Sequence, residues 1–119
     1  MTHSNPKYRR GDVVLVLFPN SDLRTAKTRP ALIVQADNLE TGLSQVIVAM
    51  ISSNVRRVGH PSRIFFKLDT PEGLKSGLLT DYVVMTDNLA TISKRAVDRR
   101  IGCLPMDSTD RAMRHTLNL

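Results

Sequence analysis

The sequence predicts a mainly β domain, a small barrel of short antiparallel strands with one C-terminal helix. Short apolar runs, many of them β-branched, alternate with polar turn segments along most of the chain. Helical spacing of apolar residues appears after Pro105. The length of 119 residues fits one domain, and neither an internal repeat nor a linker divides it. We therefore expect a single domain over residues 1–119, with a flexible polar arm at residues 1–9.

The strands are predicted where apolar runs lie between turn signals. The first run, residues 13–18, is apolar on both faces and β-branched at several positions, so it is expected to be buried, and Pro19 ends it. A polar loop is expected at residues 20–28 and a turn segment at residues 69–77. The remaining runs predict strands at residues 31–34, 46–51, 63–68, 78–79 with 83–85, 89–92 and 99–104.

The C-terminal segment is predicted to be a helix. Met106, Ala112, Met113 and Leu117 give one apolar face, and Asp110 is placed in the first turn, where a negative charge is favourable. The uneven spacing of the strands favours an SH3-like small barrel over a two-sheet sandwich. The predicted fold class is therefore β-rich α+β, with the helix closing the barrel.

Charge and composition restrict the classes of function. The chain carries 17 Lys and Arg against 11 Asp and Glu, a formal net charge of +6, which favours a polyanionic partner such as nucleic acid. Aromatic residues make up 4%, which argues against a broad platform for base stacking. A lone cysteine, Cys103, excludes an internal disulfide, and no apolar run is long enough for a membrane span or a secretory signal. We expect a cytoplasmic protein without a membrane partner.

Metal and cofactor chemistry are not expected. The three histidines are scattered, Cys103 has no partner cysteine, and no zinc motif or glycine-rich phosphate loop occurs. What remains is polar residues at strand ends. Arg29 precedes Pro30, which restricts its backbone to extended conformations, and a guanidinium suits a phosphate. Ser52 ends the third predicted strand, and Asp87 follows a later one. Each of these residues is also compatible with ordinary turn chemistry or solvation.

Four segments occur along the chain in a characteristic order. The opening strand carries Gly11-Asp12, the first loop leads into Arg29-Pro30, and a later strand ends in Ser52-Ser53. The segments are residues 10–16, residues 18–22 with 27–34, residues 46–53, and residues 77–79 with 83–92. In this order they resemble the MazF/PemK family of bacterial toxins, and the resemblance extends from about Arg10 to the C-terminal helix.

The resemblance implies an activity and partners. It implies a homodimer with an SH3-like barrel that acts as a metal-independent, sequence-specific endoribonuclease on single-stranded RNA, chiefly mRNA. The ribose 2′-OH would attack the adjacent phosphorus and leave a 2′,3′-cyclic phosphate and a 5′-OH. It also implies a cognate antitoxin whose acidic, flexible C-terminal segment covers the RNA groove, and a charge of +6 suits such a partner.

The same resemblance assigns site residues. Arg29 matches the catalytic arginine, and Ser52 matches a position usually held by threonine, so these two are the expected catalytic residues. Asp87 matches an acidic position that contacts substrate in some members. The other expected substrate-binding residues lie in the first loop and in residues 53–62; they are Asp22, Arg24, Lys27, Ser53, Asn54, Arg56 and His60. A basic rim is expected from Arg10, Arg24, Lys27, Arg56 and Arg57.

The sequence also departs from the family pattern. Leu23-Arg24 stands where some members have His-Glu, and Met85 stands where some have an arginine. The general base is therefore open: Asp22, His60 or Asp87 are candidates, and none beyond Arg29 is required. Two other functions compete, a non-catalytic nucleic-acid-binding barrel and a toxin of the same fold that inhibits DNA gyrase. Arg29 and the hydroxyl at position 52 favour RNA cleavage over both.

Overall fold

The computed structural model describes residues 8–19, 22 and 24–119, without the side chains of Phe18 and Pro19. Most of the arm predicted at residues 1–9 lies outside this range. Within it, Tyr8 packs against the core and the backbone N–H of Arg9 donates to Asp12 at 2.8 Å.

Six strands form one antiparallel sheet in the described part of the chain. The strands are β1 (Asp12–Pro19), β2 (Ala26–Ile33), β3 (Gln45–Ser52), β4 (Arg63–Phe66), β5 (Tyr82–Ser93) and β6 (Val97–Cys103). Their order across the sheet is β4-β5-β3-β2-β1-β6. The helices are α1 (Pro71–Lys75) and α2 (Asp107–Leu117), and 3₁₀ turns lie at Val55–Arg57 and Lys94–Ala96. The predicted β-rich fold with a C-terminal helix is confirmed.

Neither α1 nor α2 is long and apolar enough to cross a bilayer, and the same holds for every other helical segment among the described residues.

Several predicted elements differ from the structure. The loop predicted at 20–28 is too long, because β2 already starts at Ala26, which pairs with Pro19 of β1. The strand predicted at 78–79 is not among the described strands, and the Leu78 N–H donates to the Ser76 hydroxyl at 3.1 Å instead of to a neighbouring strand.

The strands expected at 83–85 and 89–92 are parts of one strand, β5, because Ala49 and Met50 of β3 pair with Leu89 and Met85. Residues 86–88 therefore bulge out of the ladder, and their polar side chains make one strand resemble two. The turn predicted at 69–77 contains α1, which starts at Pro71 and is capped by the Thr70 hydroxyl, 3.1 Å from the Gly73 N–H.

The core lies on both faces of the sheet because successive side chains of a strand point to opposite faces. Val13, Leu32 and Ala49 belong to one cluster, which Met106 and Met113 also contact. Val16, Ala31, Val48 and Met50 belong to the other, and its further contacts come from strand residues and Tyr8. Strands β1 to β3 therefore contribute buried residues to both faces of the sheet.

Helix α2 packs against β4 and β5. At its start, the Arg10 guanidinium pairs with Asp110 at 2.5 Å and donates to the Val34 carbonyl at 2.9 Å. At its end, the Thr116 hydroxyl contacts the Ser62 and Thr86 hydroxyls at 2.6 and 2.8 Å. These bonds hold the helix against β4 and the β5 bulge, which lie next to the site described below.

Candidate active site

A groove opens where β2 and β3 stop pairing. The ladder between them runs from Ile33↔Val48 to Ala31↔Met50 and ends there. The next residue of β2 is Pro30, which has no backbone N–H to donate. One step further, the same register would place Arg29 opposite Ser52. The sequence thus brings these two residues to the same end of the sheet, on the face that carries Ala31 and Met50.

The groove has a volume of about 550 Å³ and a cationic lining. Its walls come from the N-terminal half of β2, the C-terminal end of β3, the first 3₁₀ turn, the segment before β5, and β5 itself. The lining residues are Lys27, Thr28, Arg29, Pro30, Met50, Ile51, Ser52, Ser53, Arg57, Leu78, Leu79, Thr80, Tyr82, Met85 and Asn88. Three carry a positive charge, and none of these described lining residues is a carboxylate or a histidine. The groove therefore suits an anion rather than a metal cation.

Arg29 is exposed on β2, where its backbone pairs with Val16 of β1. Within the described residues its guanidinium has neither a hydrogen-bond partner nor an ion-pair partner. All five of its N–H donors are therefore available to a ligand. A guanidinium fixed on a strand next to Pro30 can donate two parallel hydrogen bonds to a phosphate group.

Ser52 is half-buried at the end of β3, and its hydroxyl oxygen accepts from the Asn54 backbone N–H at 3.0 Å. A hydroxyl has one proton to donate and two lone pairs, so this bond leaves the proton free for a phosphate oxygen. It also orients the side chain, which lacks the methyl group that restrains threonine. Ser53 lines the groove beside it.

Of the ten site residues predicted from the sequence, the groove brings together four. These are Arg29 and Ser52, predicted as catalytic, and Lys27 and Ser53, predicted as substrate-binding. The other six are not among the described lining residues; they are Asp22, Arg24, Asn54, Arg56, His60 and Asp87.

Asp22 and Asn54 shape loops. A carboxylate oxygen of Asp22 accepts from the backbone N–H of Arg24 at 2.9 Å and of Thr25 at 3.1 Å. These hydrogen bonds, that of Arg24 first, lower the pKa of Asp22 below its ordinary value. The Asn54 side chain accepts from the Arg56 N–H at 3.1 Å and caps the first 3₁₀ turn. Arg24 and Arg56 are exposed on these two loops.

His60 and Asp87 lie beside the groove, toward β4 and α2. His60 Nδ1 accepts from the Ser62 N–H at 3.1 Å, and its ring lies edge-on to His115 with centroids 6.5 Å apart. Asp87 accepts two hydrogen bonds from the Arg63 guanidinium, at 2.8 and 3.3 Å. The hydrogen bonds from Arg63 are the main reason that the pKa of Asp87 lies below its ordinary value of 3.8. Asp87 is thus a stable carboxylate at neutral pH and a poor proton acceptor.

The structure adds groove residues that the sequence prediction did not select. The prediction chose Arg56 for substrate and assigned Arg57 only to the rim, whereas Arg57 lines the groove. Its Nη1 lies 3.6 Å from the sulfur of Met85, the position where the family resemblance showed a departure. Asn88 reaches the groove from the β5 bulge, and Leu78 to Thr80 form the wall before β5.

A second hollow of about 550 Å³ lies between β4, α1 and the start of α2. Lys67 and Arg111 line it together with Glu72 and Asp107, so its charged groups balance. None of the ten predicted site residues lines it. The groove at the ends of β2 and β3 is therefore the better candidate for a polyanion.

Comparison with known proteins identifies the family. The family model described as "PemK-like, MazF-like toxin of type II toxin-antitoxin system" matches residues 9–116. This chain belongs to that family. The match covers all elements of the described fold, from β1 to nearly the end of α2, and the resemblance read from the sequence is confirmed.

Relatives with known activity or structure are similar over most of the chain. The chain is 33% identical over 107 residues to Endoribonuclease MazF2 of Mycobacterium bovis and to Endoribonuclease MazF6 of Mycobacterium tuberculosis; each match covers 87% of this chain and 90% of the relative. Among solved structures, Mycobacterium tuberculosis toxin MazF-mt6 has a TM-score of 0.67 at 25% identity, covering 89% of this chain and 97% of that one. A structure of MazE-MazF from Deinococcus radiodurans has a TM-score of 0.70 at 17% identity, covering 97% of this chain and 99% of that one.

Proposed function

We propose that this chain is the toxin of a type II toxin–antitoxin pair and that it cleaves single-stranded RNA in the groove at the ends of β2 and β3. The proposal rests on one observation: Lys27, Arg29 and Arg57 line the same groove as the Ser52 hydroxyl, which still has its proton to donate. The described lining of this groove holds no carboxylate. The relatives named endoribonuclease, 33% identical over most of their length, support this activity.

The proposed reaction uses the substrate's own nucleophile. The ribose 2′-oxygen forms a bond to the adjacent phosphorus, and the bond between phosphorus and the 5′-oxygen breaks. The 2′-hydroxyl proton leaves to solvent and the 5′-oxygen takes a proton from solvent, so the products are a 2′,3′-cyclic phosphate and a 5′-OH. Negative charge grows on the phosphoryl oxygens, and Arg29 and Ser52 stabilise it by donating hydrogen bonds that strengthen in the transition state.

Purified protein incubated with a mixed RNA in EDTA tests this function. We expect discrete fragments whose ends are 2′,3′-cyclic phosphates and 5′-hydroxyls. RNA that binds the folded protein but stays intact would favour the non-catalytic barrel instead. Intact RNA together with inhibition of DNA supercoiling by gyrase would favour the gyrase-inhibiting alternative. Fragments that appear only when a divalent cation is supplied would contradict the proposed chemistry.

Substitution of Ser52 tests the role of its hydroxyl group. Ser52→Thr keeps both the proton to donate and the oxygen that accepts from Asn54, so we expect cleavage within a few-fold of wild type. Ser52→Ala removes both and should lower kcat by about 10²-fold, the scale for one transition-state donor. Initial rates on one RNA measure both variants. A folded Ser52→Thr variant without activity would contradict the role of the hydroxyl.

The pH dependence of cleavage tests whether Asp87 acts as the general base. Because Arg63 lowers the pKa of Asp87, that carboxylate loses its charge only as the pH falls below 3.8. Loss of the Arg63–Asp87 pair should therefore affect kcat/KM only below about pH 4. A titration of kcat/KM near neutral pH would mean that a group outside the described groove lining takes part in proton transfer, and would contradict this site.

Partners and location are also proposed. A structural relative at TM-score 0.70 and 21% identity is an "Endoribonuclease in complex with its cognate antitoxin from Mycobacterial species". We propose that this chain likewise binds a cognate antitoxin, whose acidic segment would be attracted by the groove cations, and that it forms a homodimer in the cytoplasm. Leu74 and Leu79, 70% and 88% exposed, are candidates for these protein contacts. Asp22, Arg24, Asn54, Arg56 and His60 stay predicted substrate contacts from the flanking loops. Asp87, predicted together with them, is engaged by Arg63.

A further inference from the structure

Arg57 brings a second guanidinium into the groove from the side of β5. It ends the first 3₁₀ turn, lines the groove, and has its Nη1 3.6 Å from the sulfur of Met85. Met85 pairs with Met50, which lies on the same face of β3 as Ser52. Arg29 comes to the groove from the opposite side, on β2. The two guanidinium groups therefore flank the end of β3 where the Ser52 hydroxyl lies.

The backbone of Arg57 is held by hydrogen bonds on both sides. Its N–H donates to the Asn54 carbonyl at 3.1 Å, inside the turn. Its carbonyl accepts from Arg63 Nη1 at 3.3 Å. Arg63 in turn donates to both carboxylate oxygens of Asp87, at 2.8 and 3.3 Å. Asp87 thus fixes the Arg63 guanidinium, and Arg63 fixes the turn that carries Arg57.

We propose that Arg57 is a second catalytic cation, which contacts the scissile phosphate from the β5 side, and that the Arg63–Asp87 pair positions it. This rests on the proposed RNA cleavage. Two guanidinium groups on opposite sides of the phosphate can each donate to a different phosphoryl oxygen while charge accumulates during attack. In this arrangement Asp87 acts at a distance through Arg63 and does not touch the substrate.

Arg57→Ala tests the catalytic role. We expect kcat to fall by about 10²-fold, the scale for one lost transition-state donor. Arg57→Lys keeps the positive charge but loses the planar guanidinium, so its kcat should lie between those of Arg57→Ala and wild type. Arg95→Ala is the matched control, since Arg95 is an exposed arginine in the other 3₁₀ turn and does not line the groove; it should cleave at the wild-type rate. Thermal unfolding followed by circular dichroism verifies that each variant is folded.

The neighbouring residue gives the sharpest contrast. The sequence alone selected Arg56 for substrate binding, whereas the structure places Arg57 in the groove. If Arg56→Ala loses activity and Arg57→Ala does not, the proposal is overturned. If the wild-type protein cleaves RNA and a folded Arg57→Ala variant cleaves equally well, this inference fails while the proposed function stands. If the wild-type protein does not cleave RNA at all, the proposed function itself fails.

A double-mutant cycle tests the positioning role of Asp87. Asp87→Asn weakens its hold on Arg63, so we expect kcat to fall by less than in Arg57→Ala, with little change in KM. Because Asp87 acts through Arg57, Asp87→Asn should have almost no further effect in the Arg57→Ala background. A purely structural role would not produce that loss of additivity. An undiminished effect of Asp87→Asn in the double variant would overturn the positioning role and support direct contact with substrate.

Discussion

Arg29→Ala should lower the rate of RNA cleavage by about 10³-fold or more, in the range found when an arginine that stabilises a transferring phosphoryl group is removed. In the described structure its guanidinium is exposed and has no partner, so it contributes no intramolecular bond whose loss would disturb the fold. The effect should appear mainly in kcat, because the charge that Arg29 neutralises grows in the transition state. Initial rates under saturating RNA, measured beside KM, give both quantities.

Two controls make this result specific. The free energy of unfolding of Arg29→Ala should equal that of wild type, since the substitution removes only an exposed guanidinium that has no partner among the described residues. Arg29→Lys should recover part of the rate but not all of it, because an ammonium cannot donate two parallel hydrogen bonds to one phosphate. Wild-type cleavage by a folded Arg29→Ala variant would remove Arg29 from the site.

Gly77→Ala should lower the free energy of unfolding strongly. Gly77 has a φ of +77°, and a Cβ there would lie 2.0 Å from the carbonyl oxygen of Ile101. Left-handed strain and overpacking against backbone together predict a loss of about 2–5 kcal/mol in the free energy of unfolding. Because Gly77 precedes the wall formed by Leu78 to Thr80, the folded fraction should also cleave RNA more slowly.

Gly42 provides a matched control for this substitution. Its φ is +76°, nearly the same, but no atom lies within 4 Å of the position that a Cβ would take. Gly42→Ala therefore carries the strain without the clash and should cost about 1–2 kcal/mol. Urea unfolding of the two variants measures the difference. Equal losses of stability in Gly42→Ala and Gly77→Ala would mean that the contact with Ile101 is not as close as described.

The fold was largely predictable because burial leaves a direct signal in the sequence. Strands β1 to β3 are buried on both faces, and their runs of apolar, β-branched residues indicate this without further information. Strand β5 was harder. Its bulge at residues 86–88 exposes Asp87 and Asn88, and polar residues inside a strand resemble a turn when only the order of residues is known.

The site was predictable where a residue's position follows from strand register. Arg29 and Ser52 lie just beyond the point where β2 and β3 stop pairing, and continuing the register of that pairing places them opposite each other. The choice between Arg56 and Arg57 depends on the rotation of a 3₁₀ turn, which the sequence of two adjacent arginines does not specify. His60 and Asp87 are residue types that could act on a substrate, but the structure shows their side chains accepting hydrogen bonds from Ser62 and Arg63. Those bonds depend on contacts made only in the folded chain.

The central claim is that RNA binds in the groove, with its scissile phosphate between Arg29 and Arg57. The most direct measurement is an NMR titration with an RNA whose mapped cleavage site is blocked by a 2′-O-methyl group. The claim predicts that the side-chain Nε–H signals of Arg29 and Arg57 and the amide signals of Ser52 and Ser53 shift together as RNA is added. The signal of Arg111, in the hollow beside α2, should stay unchanged. Shifts confined to that hollow, with the groove signals unmoved, would contradict the claim.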